Sequence, residues 1–174
     1  MENNEFTFCP DCGSKTISTD SIRRKWDCPE CGFTLYNNIA SAVGLVIVNS
    51  KGEVLLEKRA KDPRKGYLAL PGGFVDAEES LEEAAHRECR EEIGTDVSSL
   101  KYIASFPNTY DYRNFQYKTC DVFFEAQIPS DAEFKFQESE VTGVVWMPCT
   151  TKEEVEKIPF AFESARKTLL TRIQ

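Results

Sequence analysis

No apolar run in this sequence approaches the ~20 residues needed to span a bilayer, which excludes a transmembrane helix and a membrane partner. The opening residues, MENNEFTFC, hold neither a basic stretch nor an apolar core, so no signal peptide is expected. Positive charge is in short supply: 21 Lys and Arg stand against 29 Asp and Glu, for a net charge of −8. A polyanionic partner is repelled overall, so any phosphate must be met by local cations or a bound metal. There is no low-complexity segment and no internal repeat beyond one pair of cysteine knuckles. An even cysteine count is also lacking: the chain has seven. With no secretion signal, that excludes a disulfide framework and points to a reducing cytoplasm.

Four of those cysteines form a pattern. Cys9-Pro-Asp-Cys12-Gly and Cys28-Pro-Glu-Cys31-Gly are two CxxC knuckles at the spacing of a structural zinc site. Two residues between thiols let both reach one metal, and a glycine after each pair permits the tight turn. Four thiolates close the tetrahedron and leave no position for a catalytic water. Residues 1–36 therefore read as a zinc ribbon, too small to fold on apolar burial alone. Arg23-Arg24-Lys25-Trp26 mixes bases with an aromatic, yet residues 1–36 carry four bases against six acids. A scaffolding or substrate-shaping role is favoured over contact with a nucleic-acid polymer. Cys89, Cys120 and Cys149 are scattered and read as buried thiols.

The rest, 37–174, reads as one α/β domain. From Ile39 the run SAVGLVIVN suggests a central strand. EVLLEKR suggests a second, joined to it as a hairpin through Ser50-Lys51-Gly52. KDPRKG is a loop. LKYIASF, TYDY and FQYKTCDVFFEAQI read as strands with a turn near Arg113-Asn114, and VTGVVWMP as a last strand. Thr150 with Glu153, or Thr151 with Glu154, can cap a short helix, and PFAFESARKTLLTRI has the spacing of a C-terminal helix.

Between these lies GGFVDAEESLEEAAHRECREEIG, residues 72–94. Ser80 and Glu83 form a capping box, and Leu81, Ala85, Cys89 and Ile93 make an apolar stripe. Gly94 stands where a helix ends in a left-handed residue. A helix over 80–93 follows. At 100° per residue and with Leu81 as zero, the stripe covers about 0° to 120°. Glu88 then falls near −20° and Glu92 near +20°, against the stripe, with Glu91 beside them near −80°, all roughly. Like charges at i, i+4 destabilise a helix, and acids against an apolar face lose hydration. A hard cation such as Mg²⁺ or Mn²⁺ relieves both. The plain alternative is a solvated acidic helix. The lone histidine, His86, falls near roughly +140°, away from Glu91, and reads as a surface or boundary residue and not a base.

The segment resembles the Nudix box, G-x5-E-x7-R-E-U-x-E-E-x-G-U with U a bulky apolar residue. Gly73, Glu79, Arg87, Glu88, Glu91, Glu92 and Gly94 occupy every fixed position. Cys89 and Thr95 replace bulky apolar residues. The resemblance implies an α/β/α sandwich with a mixed sheet, and hydrolysis of a nucleoside diphosphate linked to a group X. It implies Mg²⁺ or Mn²⁺ on Glu88, Glu91 and Glu92, with the Gly72 carbonyl as a further ligand and Arg87 and Glu79 orienting the carboxylates. Relatives place a catalytic Glu before a late strand carrying Trp. Here Trp146 follows QESEVTGVV, and Glu140 suits that spacing better than Glu138, with a solvated loop acid as the alternative. Relatives also place a phosphate-contacting base where Arg59 closes EVLLEKR, the alternative being a surface Arg. Tyr110, Tyr112, Phe115 and Tyr117 can stack on a nucleobase or pair across strands, and Tyr110 is a candidate substrate contact.

A ribbon followed by a Nudix box is similar to the NADH pyrophosphatase group. That group carries SQPWPFPxS after the box, whereas this chain has Ser105-Phe106-Pro107-Asn108-Thr109-Tyr110. The expected substrate is a small ADP-containing nucleotide such as ADP-ribose, NADH or FAD. A (d)NTP pyrophosphohydrolase, an RNA cap-removing enzyme and a non-catalytic nucleotide sensor are the alternatives, and a homodimer is admissible.

Overall fold

The computed structural model describes residues 7–112 and 115–174. The turn expected at Arg113-Asn114 and the side chains of Tyr112 and Phe115 lie outside the described residues. The chain divides into two compact units, Met1–Ile39 with Thr109–Lys118, and Ala40–Asn108 with Thr119–Gln174.

In the first unit the two knuckles close alike. Cys9 N–H donates to Ser14 O at 2.8 Å and Gly13 N–H to Cys9 O at 3.0 Å. Cys28 N–H donates to Phe33 O at 2.8 Å and Gly32 N–H to Cys28 O at 2.9 Å. Gly13 and Gly32 have φ of 72° and 77°, the left-handed region that glycine enters without cost. All four sulfurs lie within 4.8 Å of one another. Cys9 to Cys31 and Cys12 to Cys28 are 3.7 Å apart, too long for disulfides. A tetrahedron with Zn–S bonds of ~2.3 Å has sulfur–sulfur edges of about 3.8 Å, so the thiols suit a four-coordinate zinc. The unit's sheet is a small antiparallel one, β1 (Ser18–Asp20), β2 (Lys25–Asp27) and β3 (Thr34–Tyr36). Ile17, Trp26, Phe33 and Leu35 gather beside Cys9 and Cys28.

The second unit is built on two three-stranded sheets. One has the order β4 (Ala40–Ile47), β8 (Phe115–Gln127), β7 (Ser99–Tyr112). The other runs β6 (Leu68–Ala69), β5 (Glu53–Arg59), β9 (Val141–Pro148). β4 pairs with β8 in parallel and β5 with β6 and β9 antiparallel, so parallel and antiparallel pairing are mixed. Side chains alternate across each strand. Leu45, Ile47 and Leu55 accordingly join Ala84, Ala85, Cys89 and Ile93 of α1 (Leu81–Ile93) in one core. Val46, Val54 and Leu56 join Val155, Ala165 and Leu169 of α2 (Lys152–Lys157) and α3 (Glu163–Arg172) in a second. Helices thus cover both faces, the α/β/α arrangement that apolar runs on both strands require. Among the described residues no helix is long and apolar enough to cross a membrane.

α1 begins and ends as its sequence demands. Ser80 N–H donates to Glu83 Oε2 at 2.8 Å, Glu83 N–H to Ser80 Oγ at 3.2 Å, and Gly94 has φ of 76°. Thr151, not Thr150, caps α2.

Four expectations need correction. β4 and β5 turn at Gly52, φ 79°, but do not form a hairpin: beyond one bridge at Val48 and Val54 they enter different sheets. β4 is also not central in its sheet. Its free edge is taken by residues 71–75, through Leu45 N–H to Pro71 O, Val43 N–H to Gly73 O, and Val75 N–H to Ser41 O, at 2.8, 2.9 and 3.1 Å. LKYIASF and TYDY are a single strand, β7, and Pro107 is tolerated within it because β7 is an edge strand. α3 starts only at Glu163, since Pro159–Ala161 bond Leu68 instead.

Replacing Cys28 with Ser should strip the metal and make residues 7–39 protease-sensitive, while the far-UV helical signal of α1 to α3 persists. Elemental analysis and limited proteolysis check this. Wild-type protein without zinc would refute the tetrahedral reading.

Candidate active site

The pairing of residues 71–75 with β4 sets the site. Gly72 has φ of 140°, and a Cβ there would sit 2.1 Å from Val43 O. Only glycine allows this approach, which turns the Gly72 N–H onto Glu92 Oε2 at 2.7 Å. A Cβ on Gly73 would lie 2.4 Å from Glu88 Oε1, so the second glycine makes room for the other inward acid. The Gly72 carbonyl, a ligand implied by resemblance, accepts none of the three bonds that tie this segment to β4.

The helical phase proves correct. Glu88 and Glu92 are buried at 9% and 5% exposure, while Glu91 is exposed. Arg87 ties the cluster together. Its Nε and Nη2 donate to the two oxygens of Glu79, each at 2.9 Å, and Nη2 also donates to Phe74 O at 2.9 Å. Its Nη1 donates to Glu88 Oε1 at 2.8 Å and to Glu91 Oε2 at 3.2 Å. One guanidinium thus fixes three of the four box carboxylates, a fork–fork contact on Glu79 and a bridge between Glu88 and Glu91. Glu79 is held below the usual carboxylate range by that contact first and by the Asp76 N–H second.

A further acid, outside the box, was missed from the sequence. Glu57 on β5 is 1% exposed, and its carboxyl lies within hydrogen-bonding reach of Glu92. Strand alternation carried the signal. Leu55 faces α1, so Glu57, two residues on, faces it too. Burial pushes the Glu57 carboxyl up to about 8. Burial first, and then the Glu57 charge, push Glu92 well above the ordinary range. Glu88 is raised by burial, against the pull of Arg87.

Glu140 is half-buried, and its charge is felt at both Glu57 and Glu88. Its side chain is ion-paired with Lys61, and its carbonyl accepts from Ala60 N–H at 2.7 Å. Glu138 is exposed. Arg59 is not free to swing: its Nε donates to Pro63 O at 3.0 Å and its guanidinium lies 5.3 Å from the centre of the Phe162 ring. Tyr110 is half-buried near the end of β7, in the unit that holds the cysteines. His86 pairs with Asp96 at 2.6 Å and does not join the acids, as its phase on α1 predicts. Carboxylate oxygens are what Mg²⁺ and Mn²⁺ take, though among the described residues only the four cysteines already hold three or more ligand atoms within 4.8 Å of one another.

These shifts fix a sign. Glu57, Glu88 and Glu92 hold protons in the folded state at pH values where the unfolded chain has released them. Their contribution to stability is present below the unfolded value of about 4.5 and is lost as pH rises towards the folded values, at up to about 1.4 kcal/mol per pH unit for each proton retained. In magnesium-free buffer with zinc kept bound, Tm should fall between pH 5.5 and pH 8.5, and Glu92→Gln should flatten that fall. Calorimetry decides, and a wild-type Tm rising over this window would refute the burial of these charges.

Comparisons with known proteins identify the family. The family model described as NUDIX domain matches residues 39–167. A protein of Pseudomonas aeruginosa named NAD-capped RNA hydrolase NudC is 39% identical over 100 residues, covering 56% of this chain and 34% of its own. One of the same name from Haemophilus influenzae is 32% identical over 164 residues, covering 93% and 58%. This chain therefore spans between a third and somewhat over half of the length of these relatives. A NUDIX hydrolase from Nitrosomonas europaea superposes with a TM-score of 0.68 at 26% identity, over 93% of this chain and 87% of that one. A MutT NUDIX hydrolase from Burkholderia pseudomallei superposes at 0.63 and 23%, over 77% and 98%. With the family model covering most of its length and its box acids gathered at a paired-glycine loop, this chain belongs to the Nudix hydrolase family.

Proposed function

We propose that this chain hydrolyses the pyrophosphate bond of an ADP-containing compound such as NADH, ADP-ribose or FAD, releasing AMP. The observation that carries the reading is the burial of Glu88 and Glu92 against the Gly72–Gly73 loop: a helix keeps such acids only where their charge is used. Phosphoryl transfer needs positioning and charge neutralisation more than covalent chemistry. A bound Mg²⁺ or Mn²⁺ would neutralise phosphate oxygens and lower the pKa of a water. The chain's own groups do the rest. Gly72 N–H and Arg87 hold Glu92, Glu88 and Glu91 in place before substrate arrives. Glu140 is our proposed general base, steadied by Lys61. Arg59 is the proposed phosphate contact, and Tyr110 is proposed as a base platform on ring chemistry alone.

Residues 1–36 are our proposed zinc ribbon domain and 37–174 the catalytic one. All seven cysteines are free thiols, which suits a reducing cytoplasm.

The names of the relatives favour a second reading, in which the pyrophosphate belongs to an NAD cap on an RNA end. The chemistry at the phosphorus is the same, and only the group beyond the adenosine differs. The acidic balance of residues 1–36 weighs against a nucleic-acid polymer, but a single capped end asks less of that surface than a long polyanion.

A panel of NADH, ADP-ribose, FAD, (d)NTPs and an NAD-capped oligonucleotide, each with Mg²⁺ and Mn²⁺, tests both readings. AMP from the free dinucleotides supports the first, and preferential cleavage of the capped RNA supports the second. Glu92→Gln should lower turnover more than about 100-fold, beyond what loss of an outer-shell partner costs, with the fold kept. Turnover at the wild-type level in that variant, or cleavage of (d)NTPs alone, would refute the proposal.

A further inference from the structure

β5 carries three fully buried apolar residues, Val54, Leu55 and Leu56, and then Glu57, which is sealed as completely. A carboxylate in that position is unfavourable unless something compensates it. No hydrogen-bond donor reaches its Oε2 among the described residues. The donors nearby are placed on other groups, and the Arg59 charge, felt at Glu57, opposes the effect of its burial without a hydrogen bond. Gly72 N–H is on Glu92. Arg87 is spread over Glu79, Glu88, Glu91 and Phe74 O. Lys61 is on Glu140, and Arg59 binds Pro63 O and faces the Phe162 ring. What Glu57 does face is the carboxyl of Glu92, with Glu88 and Glu140 close enough for their charges to be felt.

Two buried carboxyl groups in contact can share either a proton or a cation. A shared proton satisfies one oxygen of each group and supplies nothing to the other oxygen of Glu57. A cation takes oxygens from both groups and needs no donor. The placement favours the cation. Glu57 comes from the strand side, opposite the acids of α1, so a hard ion among them would be met from two elements and not from one helix face.

We propose that Glu57 is a further carboxylate of the divalent-cation platform, presented by β5 across from Glu88 and Glu92 of α1. This rests on the reading of the box acids as a metal platform, and it adds to that set an acid lying outside the box. It also explains why EVLLEKR holds an acid where strand alternation would place a core residue.

Mn²⁺ binding, followed by calorimetry and by the electron paramagnetic resonance of free Mn²⁺, is compared in wild type, Glu57→Gln, Glu57→Met and Glu92→Gln. The Met variant guards against misfolding, since an apolar side chain of similar length packs where a buried charge stood. Both Glu57 variants should bind Mn²⁺ about tenfold or more weakly, and both should lose part of the rise in Tm that Mn²⁺ gives the wild type. If Glu92→Gln weakens binding while both Glu57 variants stay within twofold of wild type, Glu57 shares a proton only and the proposal is overturned. If Glu92→Gln binds Mn²⁺ as wild type does, the box reading falls and this one with it.

Discussion

Everything at this site turns on one constraint, the burial of like charges. Glu57, Glu88 and Glu92 are brought out of water towards one another; burial raises the proton affinity of each, and the Glu88 charge raises that of Glu57 and Glu92 further. Packing alone would replace them with leucine. They are kept in place by what surrounds them: a backbone N–H on Glu92, a guanidinium on Glu88, and a Gly-Gly loop with no side chains to push them out. The frame tolerates a cluster that is unfavourable in the ion-free protein, and an ion that binds the folded state stabilises it by mass action.

The frame depends on how β4 and β5 are used. Strands buried on both faces send alternate residues to opposite cores, so one strand anchors α1 on one side and α2 and α3 on the other. β4 then does a third thing. Its free edge holds residues 71–75, so the loop that carries both glycines is positioned by sheet hydrogen bonds and not by loop packing. The acids of α1 and the loop that receives them are therefore fixed to the same strand, one through the core and the other through the edge.

Local signals were legible in the sequence. The capping box at Ser80, the left-handed Gly94 and the inward phase of Glu88 and Glu92 all follow from residues within two or three turns of each other, and each appears in the structure. The two CxxC pairs announced a shared centre, because a thiol pair at that spacing has few other uses. What the sequence hid was non-local. Nothing in SAVGLVIVN or EVLLEKR says that adjacent strands joined by a tight turn will part into different sheets, since pairing partners are chosen by the whole fold. LKYIASF and TYDY read as separate strands, and Pro107 between them is accommodated in one strand only because β7 lies at a sheet edge. Glu57 was hidden for a related reason. An acid near the end of a strand reads as solvated until the face of Leu55 is known, and that face is defined only by α1 packing on it.

Arg87 shows how an acidic chain manages this with so little positive charge. A guanidinium has five N–H donors in a fixed plane, and here they serve Glu79, Glu88, Glu91 and the Phe74 carbonyl at once. A lysine offers a point charge with no plane, and it could not hold the two oxygens of Glu79 while bridging two acids on its own helix. Glu92 and Glu57 receive none of these donors. The positive charge inside the site is thus spent on orienting the outer carboxylates, while the two most deeply buried acids are left with one backbone N–H between them. That uneven distribution is what a cation site requires, because donors already placed on the innermost oxygens would have to be displaced before an ion could enter.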